Sequence, residues 1–202
     1  MNYGQVRDMV LKLLNQYTRA GTPVEPSYNN QQDYLNRIPA LVNDAMMEIA
    51  TTARKIPATI ALRDLPCQEL EGEVRYQLPE SFWQFLSGSV VTTREGRTLP
   101  TNCCIVQGRR YLLVPAGQAE DCTITCYRYP DLLPDKPADT DRLDNAPETH
   151  FAIPYYVASY LVAGEDSFLC ALFYNKYEDK LAKMNQGVTA QVGAVADSYR
   201  FF

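Results

Sequence analysis

The stretch His150-Phe-Ala-Ile-Pro-Tyr-Tyr-Val-Ala-Ser-Tyr-Leu-Val-Ala-Gly-Glu-Asp-Ser-Phe-Leu-Cys-Ala-Leu-Phe-Tyr-Asn-Lys-Tyr-Glu-Asp-Lys-Leu-Ala-Lys-Met184 decides how the rest of the chain is read. Ile153, Val157, Tyr160 and Leu161, and then Phe168, Leu169, Leu172, Phe173, Tyr177, Leu181 and Met184, recur at the three-and-four spacing that lines one face of a helix. The pattern predicts two amphipathic helices around Gly164-Glu165-Asp166. A carboxylate at Glu165 or Asp166 falls where the positive end of the second helix's dipole favours it.

Upstream, Val6, Met9, Val10, Leu13, Leu14 and Tyr17 repeat the helical spacing from Tyr3 to about Ala20, with Asn2 as a cap and Gly21 as a stop. Thr22-Pro-Val-Glu-Pro-Ser-Tyr-Asn-Asn is a connector or contact loop, because two prolines and four turn formers discourage a helix. A longer stripe follows through Leu35, Ile38, Leu41, Val42, Ala45, Met46, Ile49, Ala50 and Ala53. Pro39 interrupts it and predicts a kink or break near Ile38, and Ile56-Pro57 is expected to end it.

From Ala58 to Tyr129 the period changes to two, with glycines and prolines between short β-rich runs. Strands are expected at Thr59–Arg63, Glu73–Gln77, Ser89–Arg94, Thr98–Val106, Arg110–Val114 and Cys122–Tyr129. Glu95-Gly96 and Gln107-Gly108 read as hairpin turns, and Leu78-Pro-Glu-Ser-Phe-Trp-Gln-Phe-Leu as a short helical turn anchored by Phe82, Trp83 and Phe85. Pro130 to Pro147 contains four prolines and most of the net negative charge, and is expected to be a surface loop. After Met184 the chain carries Gly187, Gly193 and small side chains, too little for a packed element, yet ends in Tyr199-Arg-Phe-Phe.

Together these readings predict an α+β fold: a bundle of about four helices, a small antiparallel β module inserted between the N-terminal and C-terminal helix pairs, and an extended C-terminal arm. The expected ranges are 1–57 for the N-terminal helices, 58–130 for the β module, 131–148 for the acidic loop, 149–184 for the closing pair and 185–202 for the arm. The 202 residues, 46% of them hydrophobic, suffice for one folded core or a helical body with a smaller module.

Nineteen Lys and Arg against twenty-four Asp and Glu give a formal charge of −5, which argues against a protein whose main business is coating a nucleic-acid backbone. No basic N-terminal region precedes an apolar run and no window approaches a membrane span, so a cytosolic chain is expected. Cys103, Cys104, Cys122 and Cys126 fall in strand-like segments. A zinc site there is disfavoured, because adjacent cysteines on a strand point to opposite faces and no C-x-x-C occurs. His150 is the one histidine, beside Pro147 at a helix start, and reads as a capping or surface residue rather than a base for a Cys or Ser nucleophile. No phosphate-cradling glycine motif is present, and no cofactor is expected. Arg109-Arg110, after Gly108, would meet a phosphate or a partner's carboxylate at a hairpin tip, with a solvated turn as the alternative.

The order of these elements resembles the head-to-tail adaptor, or connector, proteins of tailed bacteriophages. The residues that carry the likeness are Leu41-Val-Asn-Asp-Ala-Met-Met-Glu-Ile-Ala, Val74-Arg-Tyr-Gln-Leu-Pro-Glu-Ser-Phe, Thr123-Ile-Thr-Cys-Tyr-Arg-Tyr-Pro-Asp, the acidic loop, Gly164-Glu-Asp-Ser and Phe173-Tyr-Asn-Lys-Tyr-Glu-Asp-Lys-Leu. The resemblance implies a non-enzymatic virion protein, made in the host cytoplasm, forming a homo-oligomeric ring, usually of twelve copies. Such a ring sits beneath the portal protein, joins it to a tail or nozzle protein, and lets genomic DNA pass without sequence-specific binding. It also implies a C-terminal arm that docks on the portal, here with Val188, Val192, Val195, Tyr199, Arg200, Phe201 and Phe202 as contact residues. A tail-completion or stopper subunit of the same neck is the second reading. A small hydrolase using Cys170 or His150 is the reading from another class.

Overall fold

The computed structural model describes residues 1–15, 31–94, 97–100, 104–106, 108, 110–116 and 122–198. The fold is α+β, with four α-helices and two four-stranded antiparallel sheets. The chain divides into a helical unit, Met1–Arg54 with Pro130–Phe202, and a β unit, Lys55–Tyr129.

In the helical unit α1 is Tyr3–Leu13, α2 is Gln31–Glu48, α3 is Ile153–Val162 and α4 is Ser167–Ser198. Asn2 caps α1 as expected: its side chain accepts from the Gln5 N–H, and the Gln5 side chain accepts from the Asn2 N–H, so two end donors are satisfied reciprocally. The helix stops well before Gly21. Leu14 closes it and Asn15 takes φ 56°, a left-handed position that asparagine tolerates better than most residues.

Pro39 does not break α2, which runs through it and passes into a π-helical turn at Ile49–Ala53. The missing proline donor is local, whereas Ile38, Val42, Ala45, Met46 and Ile49 are all fully buried, so packing holds the helix together. Val6 and Val10 of α1, Ile153, Val157 and Leu161 of α3, and Tyr177 of α4 complete that core.

The acidic segment is a surface loop as expected, largely exposed and without helix or strand up to Ala146, but it is anchored at many points. Leu133 and Leu143 are buried in the helical core, and the segment is tied down by backbone. Tyr3 and Gly4 donate N–H to the carbonyls of Asp141 (2.8 Å) and Asp139 (3.1 Å), and Asn2 forms a β-bridge with Arg142. Asn43 accepts from the Leu133 N–H (2.8 Å) and donates to its carbonyl (2.9 Å), and Asn145 donates to Met46 O (3.1 Å). Arg7 grips both carboxylate oxygens of Asp139 at 2.5 and 3.2 Å. The segment is therefore a strap fixed across the start of α1 and the C-terminal half of α2.

Gly164–Asp166 joins α3 to α4 as predicted, and Asp166 supplies the cap, accepting from the Phe168 and Leu169 N–H groups at 3.0 Å each. The backbone of α4 then continues to Ser198, where the sequence suggested an extended arm from residue 185. Propagating an existing helix costs far less than starting one, and alanines and glutamines outnumber the two glycines between 185 and 198. Tyr199, Arg200, Phe201 and Phe202 lie outside the described residues, as do the Thr22–Asn30 connector, Glu95-Gly96, Cys103 and Arg109.

In the β unit the strands are β1 Ile56–Ala61, β2 Cys67–Leu70, β3 Glu73–Gln77, β4 Phe82–Arg94, β5 Arg97–Pro100, β6 Cys104–Val106, β7 Tyr111–Pro115 and β8 Cys122–Arg128. One sheet is ordered β1-β8-β4-β5 and the other β2-β3-β7-β6. Val74 and Tyr76 of β3, Leu112 and Val114 of β7, and Cys122, Ile124 and Cys126 of β8 alternate inward and share one core. Gly108 has φ 66°, the positive value the hairpin between β6 and β7 needs. Several expectations change: Ile56-Pro57 opens β1 instead of closing α2, the strand expected to Arg63 ends at Ala61, β2 was not foreseen, the run Thr98–Val106 splits into β5 and β6, and the segment read as a helical turn enters β4 at Phe82. Phe82, Trp83 and Phe85 fit either shape by spacing, and aromatic side chains favour a half-buried strand.

Candidate functional site

Two surfaces stand out, one in each unit. In the helical unit, residues expected on the buried stripe face outward instead: Phe168 is 74% exposed, Tyr160 43% and Leu172 41%, while Phe151 is 54% exposed. Phe168 and Leu172 stand one turn apart on the same side of α4. Behind them the faces that do pack are tyrosine-rich. Tyr156 meets Tyr160 at 4.6 Å and Tyr177 at 5.1 Å between ring centroids, and Tyr174 meets Tyr177 at 5.7 Å. The Tyr177 hydroxyl donates to Glu48 Oε1 at 3.1 Å. Burial, reinforced for Tyr177 by the Glu48 carboxylate, pushes the phenols of Tyr156 and Tyr177 far above their ordinary range, so they stay neutral hydrogen-bond donors. Tyr34 ties α2 to the α3–α4 junction by donating to Glu165 Oε2 at 2.8 Å. These tyrosines tie α2, α3 and α4 together, while Phe168, Leu172, Tyr160 and Phe151 stand exposed on the same unit.

In the β unit, Trp83 is the extra residue of a β-bulge: Phe82 pairs with Arg128 and Gln84 with Tyr127, leaving Trp83 between them. A bulge re-aims the side chain it carries. Trp83 stacks near Tyr129, centroids 6.0 Å apart and planes 28° apart, and meets Tyr127 at 6.4 Å. The Lys55 ammonium lies 4.9 Å from the Trp83 ring centre and 5.0 Å from that of Tyr127. Beside this cluster opens a cleft of about 460 Å³ walled by Pro79, Trp83, Tyr111, Tyr129, Arg110 and Glu80. Its walls are pinned by backbone: Leu78 N–H donates to Arg110 O at 2.9 Å, and Tyr129 N–H to Ser81 O at 2.7 Å. The Arg75 guanidinium lies over the Tyr111 ring at 4.8 Å.

The structure thus places Arg110 on a wall of an aromatic cleft; Arg109 lies outside the described residues. Val188, Val192 and Val195 fall within the backbone of α4. The aromatic lining went unread in the sequence, although the period-two spacing of Tyr127 and Tyr129 put both on one side of β8 and its extension.

His150 is not the surface residue its position suggested. It is 4% exposed, its Nδ1 accepts from the Met1 nitrogen at 2.5 Å, and its Nε2–H donates to Asn145 O at 3.0 Å. Burial, and next the Met1 ammonium, hold its pKa below the usual imidazole value. Cys170 packs against Ala158, Val162 and Phe173. Cys122 and Cys126 fill the β core, and burial raises the Cys126 thiol pKa. Among the described residues no three His, Cys, Asp or Glu side chains gather as metal ligands, and no helix is long and apolar enough to cross a membrane.

No protein-family model matches this sequence, and no curated protein matches it at significance.

Proposed function

We propose that this chain is a structural subunit of a tailed-phage neck, a head-to-tail adaptor whose copies form a ring beneath the portal. Its partners in this reading are further copies of itself, the portal protein and a tail or nozzle protein, with genomic DNA passing through the lumen. The observation that carries the proposal is the outward placement of Phe168 and Leu172 on α4 and Tyr160 on α3, helices that also build the core, and of Phe151 in the turn before α3. Exposed apolar side chains on rigid helices gain free energy by meeting another protein, roughly 25 cal/mol for each Å² of apolar surface covered. Tyrosine-backed platforms suit interfaces for the same reason. The element order that resembles the adaptors supplies the kind of assembly, and a net charge of −5 suits a channel through which DNA slides without being held.

The arm and the platform are tested together by pull-down on the purified portal protein. Removing residues 187–202 is expected to abolish portal capture while the circular-dichroism spectrum loses only the helical share of the α4 end and keeps the rest. Phe168→Glu with Leu172→Glu is expected to leave the chain folded but monomeric. Full capture by the truncated chain would refute the docking arm, and unimpaired self-association of the double variant would refute the platform.

A further inference from the structure

We infer that the cleft beside Trp83 is a receptor for an extended, proline-rich acidic peptide, and that its occupant is the Pro23-Val-Glu-Pro26 connector of a second copy of this chain. The second copy rests on the ring proposed above; the ligand class does not.

The cleft is lined by four aromatic side chains, Phe82, Trp83, Tyr111 and Tyr129, together with Pro79. Proline-rich segments dock in such grooves because each proline is already held near φ −65° and little chain entropy is lost on binding. A polyproline-type backbone makes no internal hydrogen bonds, so its carbonyls seek donors. Indole N–H and phenol O–H groups on cleft walls are donors of the right kind.

Charge selects among proline-rich ligands. Arg110 forms part of the wall with Glu80 as its one carboxylate, and Arg75, outside the lining, lies over Tyr111 and donates to Gln68 Oε1. This surface favours a peptide with one carboxylate between its prolines, which is the arrangement of Glu25 between Pro23 and Pro26. Glu80 on the wall also disfavours a phosphate backbone, which needs a track of cations. The other P-x-x-P of the chain, Pro134-Asp-Lys-Pro137, lies in the strap and bends at Asp135 and Lys136, so it does not present an extended ligand. Fifteen residues, 16–30, connect Asn15 to Gln31, and a stretch of that length reaches at most about 50 Å, enough to offer its centre to a neighbour.

Trp83 is the one tryptophan of the chain, so its emission reports on the cleft alone. The acceptor is the full chain with Pro23→Ala and Pro26→Ala, which keeps the cleft and loses its own ligand. A synthetic peptide of residues 20–30 should change Trp83 emission saturably. Adding Arg110→Glu to the acceptor should weaken that binding roughly tenfold. The same peptide with alanine at positions 23 and 26 should leave the emission unchanged. No saturable change, equal binding of the alanine peptide, or tighter binding of a single-stranded oligothymidine would overturn the ligand class.

The second copy is tested by adding a Trp83→Phe chain, which has an intact connector and no tryptophan of its own. It should reproduce the peptide's effect on the acceptor, and failure to do so while the peptide binds would overturn the second-copy assignment. Peptide binding by a chain whose wild type stays monomeric would remove the ring and leave the cleft. A wild-type ring combined with a proline-to-alanine acceptor whose Trp83 ignores the peptide would do the reverse.

Discussion

Gly4 and Asp139 are close enough that a methyl group at position 4 would stand 2.9 Å from the Asp139 Cβ and 3.1 Å from its carbonyl oxygen. Both neighbours are held, the carbonyl by the Gly4 N–H and the carboxylate by Arg7, so neither yields cheaply. Gly4→Ala is expected to destabilise the chain by about 1–3 kcal/mol in urea unfolding, the usual range for overpacking. Asn43→Ala removes two hydrogen bonds to Leu133 at once and leaves a backbone N–H and C=O unpaired under the strap, with an expected loss of about 1–3 kcal/mol. His150 carries a pH dependence whose sign follows from its depressed pKa. The unfolded chain takes up a proton there near pH 6.5, the folded chain only at lower pH, so protonation favours unfolding. Stability should fall as pH drops below 6.5, by at most about 1.4 kcal/mol per pH unit from this residue. His150→Gln should be less stable at neutral pH but lose that part of the slope, and an unchanged slope would assign it to another group.

At the scale of elements, legibility followed how the hydrophobic pattern was generated. β3 was read at its observed bounds, Glu73–Gln77, because Val74 and Tyr76 alternate inward against polar neighbours. The α3–α4 junction was legible because glycine and a capping carboxylate occur together. The acidic segment was legible as a surface loop from its prolines and charge, but its anchoring was not, because that comes from backbone carbonyls meeting α1 N–H groups and from Asn43 and Asn145, which leave no periodic trace. Trp83 was missed as a site residue because its placement depends on a bulge, a property of strand pairing. The outward turn of Phe168 and Leu172 escaped the stripe because α4 presents apolar residues on more than one face. α2 offers a direct test of packing against propensity. Pro39→Ala restores a donor and removes the ring clash with the Leu35 carbonyl, a local penalty of about 3 kcal/mol in a helix interior. The buried ring's lost contacts offset part of that, so a net gain of about 1 kcal/mol is expected. A loss of stability would mean that the proline's packing outweighs its helix penalty.

For the whole molecule, the β unit has its own core of Leu62, Tyr76, Leu112, Ile124 and their neighbours, and the helical unit has another built from all four helices. Both cores are filled while Phe168, Leu172 and Phe151 stand exposed. The proposed ring gives those residues their role. The most direct test is electron microscopy of the purified wild-type chain mixed with its portal protein. The account predicts a closed ring of copies seated coaxially on the portal. A chain that stays monomeric and leaves the portal bare would contradict it.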